Sequence, residues 1–318
     1  MKITHRILLA IVMSLLACTG AKAQMSAMLP SGFNIRAEVD RAANQSYKIE
    51  DNDLTSAGDI KQNVHANLNV NYTHVFHPAI RLGMGVRYDY TNETLDDVPV
   101  EGMEWGREHH TVRPMMNLML LGKIKDTPLM IYGHMSFDKS EWAFERVSGL
   151  VAGAAILKAS REEMLAVGAI GVFNSASRMP CFPVAMYRRV YSPRWTLNLV
   201  YPFLGMQYNA SPKHAISGGF TVVSNSYWVK AAVEGMPERV NYRRSMLRTG
   251  INYDWDIAPA LRFTAQAGWE YTMRGALYST SGNRILYEMN HPSGMYAHIG
   301  MSYSPSRAKA LKALMQKR

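Results

Sequence analysis

Two side chains in this sequence are spaced for joint chemistry. In Tyr132-Gly133-His134-Met135-Ser136, alternation along a strand puts His134 and Ser136 on one face. There an imidazole could act as base and a hydroxyl as nucleophile, provided a third group orients the ring. A lipid-modifying hydrolase could use such a pair. The sequence singles out no Asn or Asp as that third group, and both residues fall on a polar row. The pair is therefore read as an ordinary polar pair, with no catalytic residue assigned.

Other chemistries have less to stand on. Ten histidines show no His-Glu-x-x-His spacing, and no paired cysteines accompany them, so neither a metal site nor a cofactor is expected. The 22 methionines scatter over both strand faces, as flexible apolar filler would.

The elements that carry these residues are strands. Val64, Ala66, Leu68, Val70 and Tyr72 alternate with His65, Asn67, Asn69, Asn71 and Thr73, the period-two pattern of a sheet with one apolar and one polar face. Ile80 to Tyr90 repeats it, as does Leu261 to Tyr271, where Trp269 and Tyr271 end the apolar row. Turns recur as x-Pro steps at His77-Pro78, Thr127-Pro128, Ser192-Pro193, Ser211-Pro212 and Ala258-Pro259, where proline's missing N–H costs no ladder bond. Longer polar connections lie between them, at 41–60, 92–110, 138–146, 175–182, 231–240 and 273–293.

Short and long connections in alternation are the pattern of an outer-membrane barrel, with short periplasmic turns and longer external loops. The fold class expected is all-β, a transmembrane antiparallel up-and-down barrel of about 14 strands, with 12 as second choice. The predicted strands are 33–40, 62–76, 79–91, 111–122, 129–137, 147–159, 164–174, 183–191, 194–201, 204–210, 214–229, 241–255, 260–272 and 294–303. Their length, of roughly 10 to 13 residues in the clearest cases, suits a tilted membrane crossing. A soluble periplasmic β-sandwich binding protein is the competing architecture.

Composition agrees. The chain is 47% hydrophobic and only 19% charged, yet its mean hydropathy is −0.16. That is too apolar for a disordered chain and too evenly mixed for membrane helices. The N-terminus reads as a cleaved signal peptide, residues 1–23: a basic start, an apolar stretch from Ile7 to Ala17, then Ala21-Lys22-Ala23. Leu15-Leu16-Ala17-Cys18 offers lipidation as an alternative. Cleavage after Ala23 leaves Cys181 as the one mature cysteine and lowers the formal charge from +10 to +7. The barrel spans 24–303, and 304–318 form a basic amphipathic tail carrying Arg307, Lys309, Lys312, Lys317 and Arg318. The stretch before residue 33 is too short for a plug, so TonB-type transport is not expected.

With the apolar rows facing lipid, the polar rows face the lumen. Lumen-lining candidates are Asn67, Asn69, Asn71, Arg81, Arg87, Asp89, Arg113, Asn117, Arg248, Arg262, Gln266, Glu270 and His298. Two functions fit a polar, net-basic lining: a passive pore for small anionic or sugar-like solutes, or a structural barrel filled by its own bonded side chains. Expected partners are outer-membrane lipids and the outer-membrane assembly machinery. No nucleic acid is expected for an exported chain.

Phe182-Pro183-Val184-Ala185-Met186-Tyr187-Arg188-Arg189-Val190-Tyr191-Ser192-Pro193-Arg194-Trp195 is followed by Leu197, Leu199, Pro202, Tyr208 and Ser211-Pro212. Here the chain resembles Bacteroidota outer-membrane β-barrel proteins of unknown function, in which a Ser-Pro-x-Trp turn opens a strand ending in Pro and a second Ser-Pro follows. The core of the likeness covers about 183–230, with a looser similarity from about 60 to 303. It implies a barrel in the bacterial outer membrane and carries over no activity or catalytic residue. The chain departs from the usual barrel ending, because fifteen residues follow Tyr303.

Overall fold

A computed structural model describes residues 32–305. Residues 44, 52–53, 96–102, 105–107, 141–142, 161, 174–180, 201–202, 232–237, 280–283 and 291–292 fall outside the description, as do the expected signal peptide and the 306–318 part of the tail. The strands are β1 Gly32–Ala43, β2 Gln45–Asp51, β3 Leu54–His77, β4 Ile80–Leu95, β5 Met103–Glu104, β6 Glu108–Ile124, β7 Thr127–Ser140, β8 Ala143–Ala159 and β9 Glu163–Phe173. They continue as β10 Cys181–Val190, β11 Trp195–Val200, β12 Phe203–Asn209, β13 His214–Ala231, β14 Arg239–Ala258, β15 Leu261–Ser279, β16 Ile285–Asn290 and β17 Gly294–Tyr303.

Every ladder between them is antiparallel. β1 with β2, and β16 with β17, are successive pieces of single staves. β5 is a two-residue outlier. Fourteen staves remain, and β1 pairs with β17 from Ile35↔Tyr303 to Ala43↔Met295, which closes the barrel. Closure excludes the two-sheet sandwich. The polar connections are shorter than the sequence pattern suggested, because strands run on into them: β3 begins at Leu54 and β14 at Arg239. A ladder past the lipid boundary needs only backbone hydrogen bonds, and no apolar row marks it.

The outer rows are apolar. Leu68, Tyr72, Met84, Val86, Val151, Ile251, Trp269, Tyr271, Ile299 and Tyr303 are exposed, while Asn67, Asp89 and Glu270 on the opposite rows are buried. The short turns explain the recurrence of Ser-Pro. Ser192 Oγ accepts the amide N–H of Arg194 at 3.3 Å and of Trp195 at 3.1 Å. Ser211 Oγ accepts those of Lys213 at 3.1 Å and His214 at 3.2 Å. Proline presets the following φ, and serine caps the amides the turn exposes. Ser160 does the same for Glu163 N–H at 2.9 Å with no proline present.

Stave height is uneven. β3, β13, β14 and β15 have 24, 18, 20 and 19 residues, whereas β9, β10, β11 and β12 have 11, 10, 6 and 7. β12 pairs with β13 only up to Thr221. Higher up, β13 crosses to the far wall, with Lys230↔Glu104 and Ala231↔Met103 on β5. The tall staves β13, β14, β15, β16–β17, β1–β2, β3, β4 and β6 thus draw together at the long-loop end into a narrower ring of eight.

On the inner rows of the tall wall, two backbones approach too closely for any side chain. A Cβ on Gly268 would lie 2.0 Å from Thr249 O, and one on Gly250 would lie 2.3 Å from Ala267 O. Only glycine fits on either side of that contact.

Candidate functional site: the lumen

Inner rows run continuously from stave to stave. Asp40 pairs with His65 on one side and His298 on the other, and Gln266, Asn252 and Ser217 follow at the same ladder level. All thirteen lumen-lining candidates lie on these rows. Seven of them, Asn67, Arg87, Asp89, Arg113, Arg248, Glu270 and His298, meet in one network inside the narrow ring.

The network can be followed from wall to wall. Arg113 Nη2 donates to Ser226 O at 2.8 Å and to its Oγ at 3.2 Å, bridging β6 to β13. Arg113 Nη1 lies 3.2 Å from Asp89 Oδ2, and Arg87 Nε lies 2.8 Å from Asp89 Oδ1. His65 Nε2 is 3.2 Å from Asp89 Oδ1, and its Nδ1 is 3.5 Å from Asp40 Oδ2. Asp40 Oδ1 accepts from Arg248 Nη1 at 3.1 Å and faces His298 Nδ1 at 2.6 Å. Arg248 Nε donates to Glu270 Oε2 at 2.7 Å, and Arg244 Nη2 reaches Glu270 Oε1 at 3.1 Å and Thr272 Oγ1 at 2.8 Å. Arg244 pairs in the ladder with Asn225, next to Ser226, so the circuit returns to where it began.

Two further contacts tie β13 to the opposite wall. Tyr227 OH donates to Glu93 Oε2 at 2.6 Å, and the His109 and Tyr227 rings stack with centroids 4.4 Å apart. A ring of about eight strands leaves an interior just wide enough for side chains to fill. Charges this buried persist only as partners: Glu270 is 1% exposed between two arginines, and removal of one member strands the others.

The remaining candidates sit nearer the short-turn end. Asn69 and Asn71 follow Asn67 down β3, and Gln266 lies below Glu270 on β15. Arg262 Nε donates to Asp256 Oδ1 at 2.7 Å and lies 3.7 Å from Asp254 through Nη1. Arg81 is buried and pairs in register with Met119. Asn117 joins the chemical pair singled out from the sequence: its Oδ1 lies 2.7 Å from His134 Nδ1 and accepts from Tyr132 OH at 2.9 Å. The fold therefore supplies the group that orients His134. The hydroxyl is directed elsewhere, since Ser136 Oγ lies 2.9 Å from Ser148 Oγ.

Sequence reasoning missed Glu38, Asp40, Glu93, Arg244 and Tyr227. Glu38 and Asp40 alternate with Ala37 and Val39 on a strand that had been predicted, and that period was the available signal. Their presence changes the electrostatics, because acidic groups stand among the arginines counted as a basic lining. Glu38 accepts from Asn67 at 3.2 Å, lies 3.5 Å from His298 Nε2 and pairs with Arg36. Arg244 lies on the same period-two row of β14 as Arg248, because the extra residue at the register shift is Met273 on β15, so the alternation that points to Arg248 also points to Arg244.

The opposite wall has a different lining. On β8, β9 and β10, ladder pairs place Leu150 beside Val172, Ala152 beside Ile170 and Ile170 beside Phe182, all on the inner face. At the base, Met119, Leu121, Met130, Ala154, Ile156 and Ala166 form a buried apolar cluster with Ala79.

No family model matches the chain, and no curated protein matches it significantly. Solved structures similar to it include an outer membrane channel from Pseudomonas putida F1, with 9% identity, 86% of this chain and 96% of that one covered, and a TM-score of 0.42. A Pseudomonas aeruginosa FadL homologue has 7% identity, 86% and 90% coverage and a TM-score of 0.37. The outer membrane protease OmpT from Escherichia coli has 10% identity, 87% and 97% coverage and a TM-score of 0.31.

Proposed function

We propose that the chain is an outer-membrane barrel whose lumen is closed by its own side chains at the external end, and that it is not an open porin. The observation that carries this is the network from Ser226 through Arg113, Asp89, His65, Asp40, Arg248 and Glu270 to Arg244, which fills a ring of eight staves. Outer rows that are apolar and end in Tyr88, Trp269, Tyr271 and Tyr303 support a lipid partner and an aromatic girdle. Both described ends lie at the short-turn side, as periplasmic ends do in single-chain bacterial barrels, and insertion would fall to the outer-membrane assembly machinery. Small anionic or sugar-like solutes could enter the wider periplasmic half, where Asn69, Asn71 and Arg36 line the wall, and would stop at the network. Hydrolysis by His134 and Ser136 is not part of this reading, since the hydroxyl faces Ser148.

Planar bilayer recordings test the closed lumen. Wild-type protein should give no steady ion current, whereas Arg113→Ala, which removes the bridge from β6 to β13, should give intermittent openings. A steady ohmic conductance from the wild type would overturn the closed lumen. Release of the protein into aqueous buffer, without a heat-dependent shift in gel migration, would overturn the membrane location.

A further inference from the structure

The uneven wall creates an opening that points sideways. β11 has 6 residues, and at a rise of about 3.3 Å and a tilt of about 40° it climbs roughly 15 Å, short of an apolar band about 25 Å tall. On one side of this low stretch, β11 pairs with β10 only from Tyr187 to Val190, which leaves Cys181–Met186 of β10 above it. On the other, β12 leaves β13 at Thr221 and the β5 pairing starts at Lys230. Between those points the edge of β13 is met by side chains rather than by a strand: Arg113 takes the carbonyl of Ser226, and Glu93 takes the hydroxyl of Tyr227. Among the described residues, then, the space between β10 and β13 above the tops of β11 and β12 is spanned by no stave.

Behind the opening lies a stretch of inner wall that carries no formal charge. Leu150, Ala152, Ile170, Val172, Phe182 and Val184 share that face, and above the basal cluster Leu150, Val172, Phe182 and Val184 are only half-buried. Water against such a surface finds no hydrogen-bond partner, while an apolar molecule loses nothing there. The ionic groups of the network lie on the tall staves and are satisfied by one another, and Arg188, on the same row of β10, sits at its short-turn end, below the apolar residues of the groove.

We infer that the inner face of β8–β10 is a binding groove for a small apolar molecule, and that the groove exchanges its occupant sideways with the bilayer through the gap between β10 and β13. This rests on the outer-membrane reading above and adds a substrate class and a route to a barrel closed along its axis.

A photo-crosslinking residue, p-benzoylphenylalanine, tests groove and route in the full-length protein in phospholipid nanodiscs. It would stand in place of Ala152, on the inner face, in place of Val151, on the outer face, and in place of Asn71, on the inner face of the tall wall. Irradiation should yield lipid adducts at 152 and 151 but not at 71, because only an opening in the wall lets an acyl chain reach an inner residue. Saturating 1-N-phenylnaphthylamine, an apolar probe, should reduce the adducts at 152 several-fold and leave those at 151 unchanged. Adducts at 151 without any at 152 would overturn the sideways opening. Adducts at 152 that the probe does not reduce would overturn the groove. Absence of adducts at 151 would overturn the membrane reading itself, a failure distinct from the other two.

Discussion

The two walls of this barrel solve the problem of an inner surface in opposite ways. The tall wall, from β13 through β17 and β1 to β6, fills its lumen with ions that satisfy one another. The low wall, β7 to β12, shares an apolar cluster at its base with β6 and, on β8 to β10, leaves the apolar face above it half-open. The difference lies in stave height as much as in residue type. Where staves run long, they converge into a ring narrow enough for Arg248 to span from β14 to Asp40 on β1, at 3.1 Å. Where they stop short, no opposite wall comes within reach, and charges placed there would stay unpaired.

Removing one charge from the tall wall should break that wall hardest. Glu270→Ala leaves Arg244 and Arg248 buried without the carboxylate that each contacts, a loss of about 3 to 5 kcal/mol when one member of a buried pair is removed. Urea unfolding in detergent, followed by heat-modifiable migration, should show the largest fall in midpoint of any single substitution discussed here. At the base, Met119→Ala on β6 removes a side chain that is 3% exposed in the apolar cluster shared with the low wall. A loss of about 2 to 5 kcal/mol is the usual range for such a deletion, and a value near the lower end is expected, because the neighbouring methionine Met130 can shift to fill the space. If Met119→Ala proved the more damaging of the two, the ionic wall would not be the firmer half.

Backbone approach offers a third comparison. Gly268→Ala puts a Cβ 2.0 Å from Thr249 O on the tall wall, whereas Gly153 on β8 has nothing within 4 Å of that position. Gly268→Ala should destabilise by about 1 to 3 kcal/mol through forced backbone movement. Gly153→Ala should be neutral or slightly stabilising, because a Cβ in open space restricts the unfolded chain. Urea midpoints of the two variants check the sign of each effect.

How much of this was legible in the sequence follows from where period two is physically enforced. Lipid on one face and polar packing on the other forced Val64 to Thr73 and Leu261 to Tyr271 to alternate, and both segments are strands with the expected faces. Leu54 to Lys61 does not alternate apolar with polar residues, so its strand left no period to read. The turn at Ser160 went unmarked because serine alone caps it, without the proline used as the marker. Among site residues, each candidate could be assigned to an inner row, since a row follows from parity alone. Which of them would meet could not be assigned, because contact across the lumen depends on the convergence of β13 and β6, and the only sequence trace of that is unequal strand length. Asn117 beside His134 is the same case: two rows of known parity, with a register that only the ladder supplies.

The smallest effect concerns the pair from which the chemistry began. Ser136→Ala removes a hydroxyl that is bonded to Ser148 at 2.9 Å, a neutral hydrogen bond whose net contribution is about 0.5 to 1.5 kcal/mol. Ser148 keeps its own place on β8, so the unfolding midpoint should fall less than in any destabilising variant above. Because His134 is held by Asn117 at 2.7 Å and not by Ser136, the imidazole should also stay where it is, and the His134 ring resonance in an NMR spectrum of the refolded barrel should be nearly unchanged. Asn117→Ala should move that resonance strongly while altering stability by a similar small amount. The opposite pattern, with Ser136→Ala perturbing the imidazole and Asn117→Ala leaving it alone, would mean that hydroxyl and imidazole are coupled after all. The low wall would then hold a working nucleophile and base beside an apolar groove, and its contrast with the tall wall would be one of reactivity as well as packing.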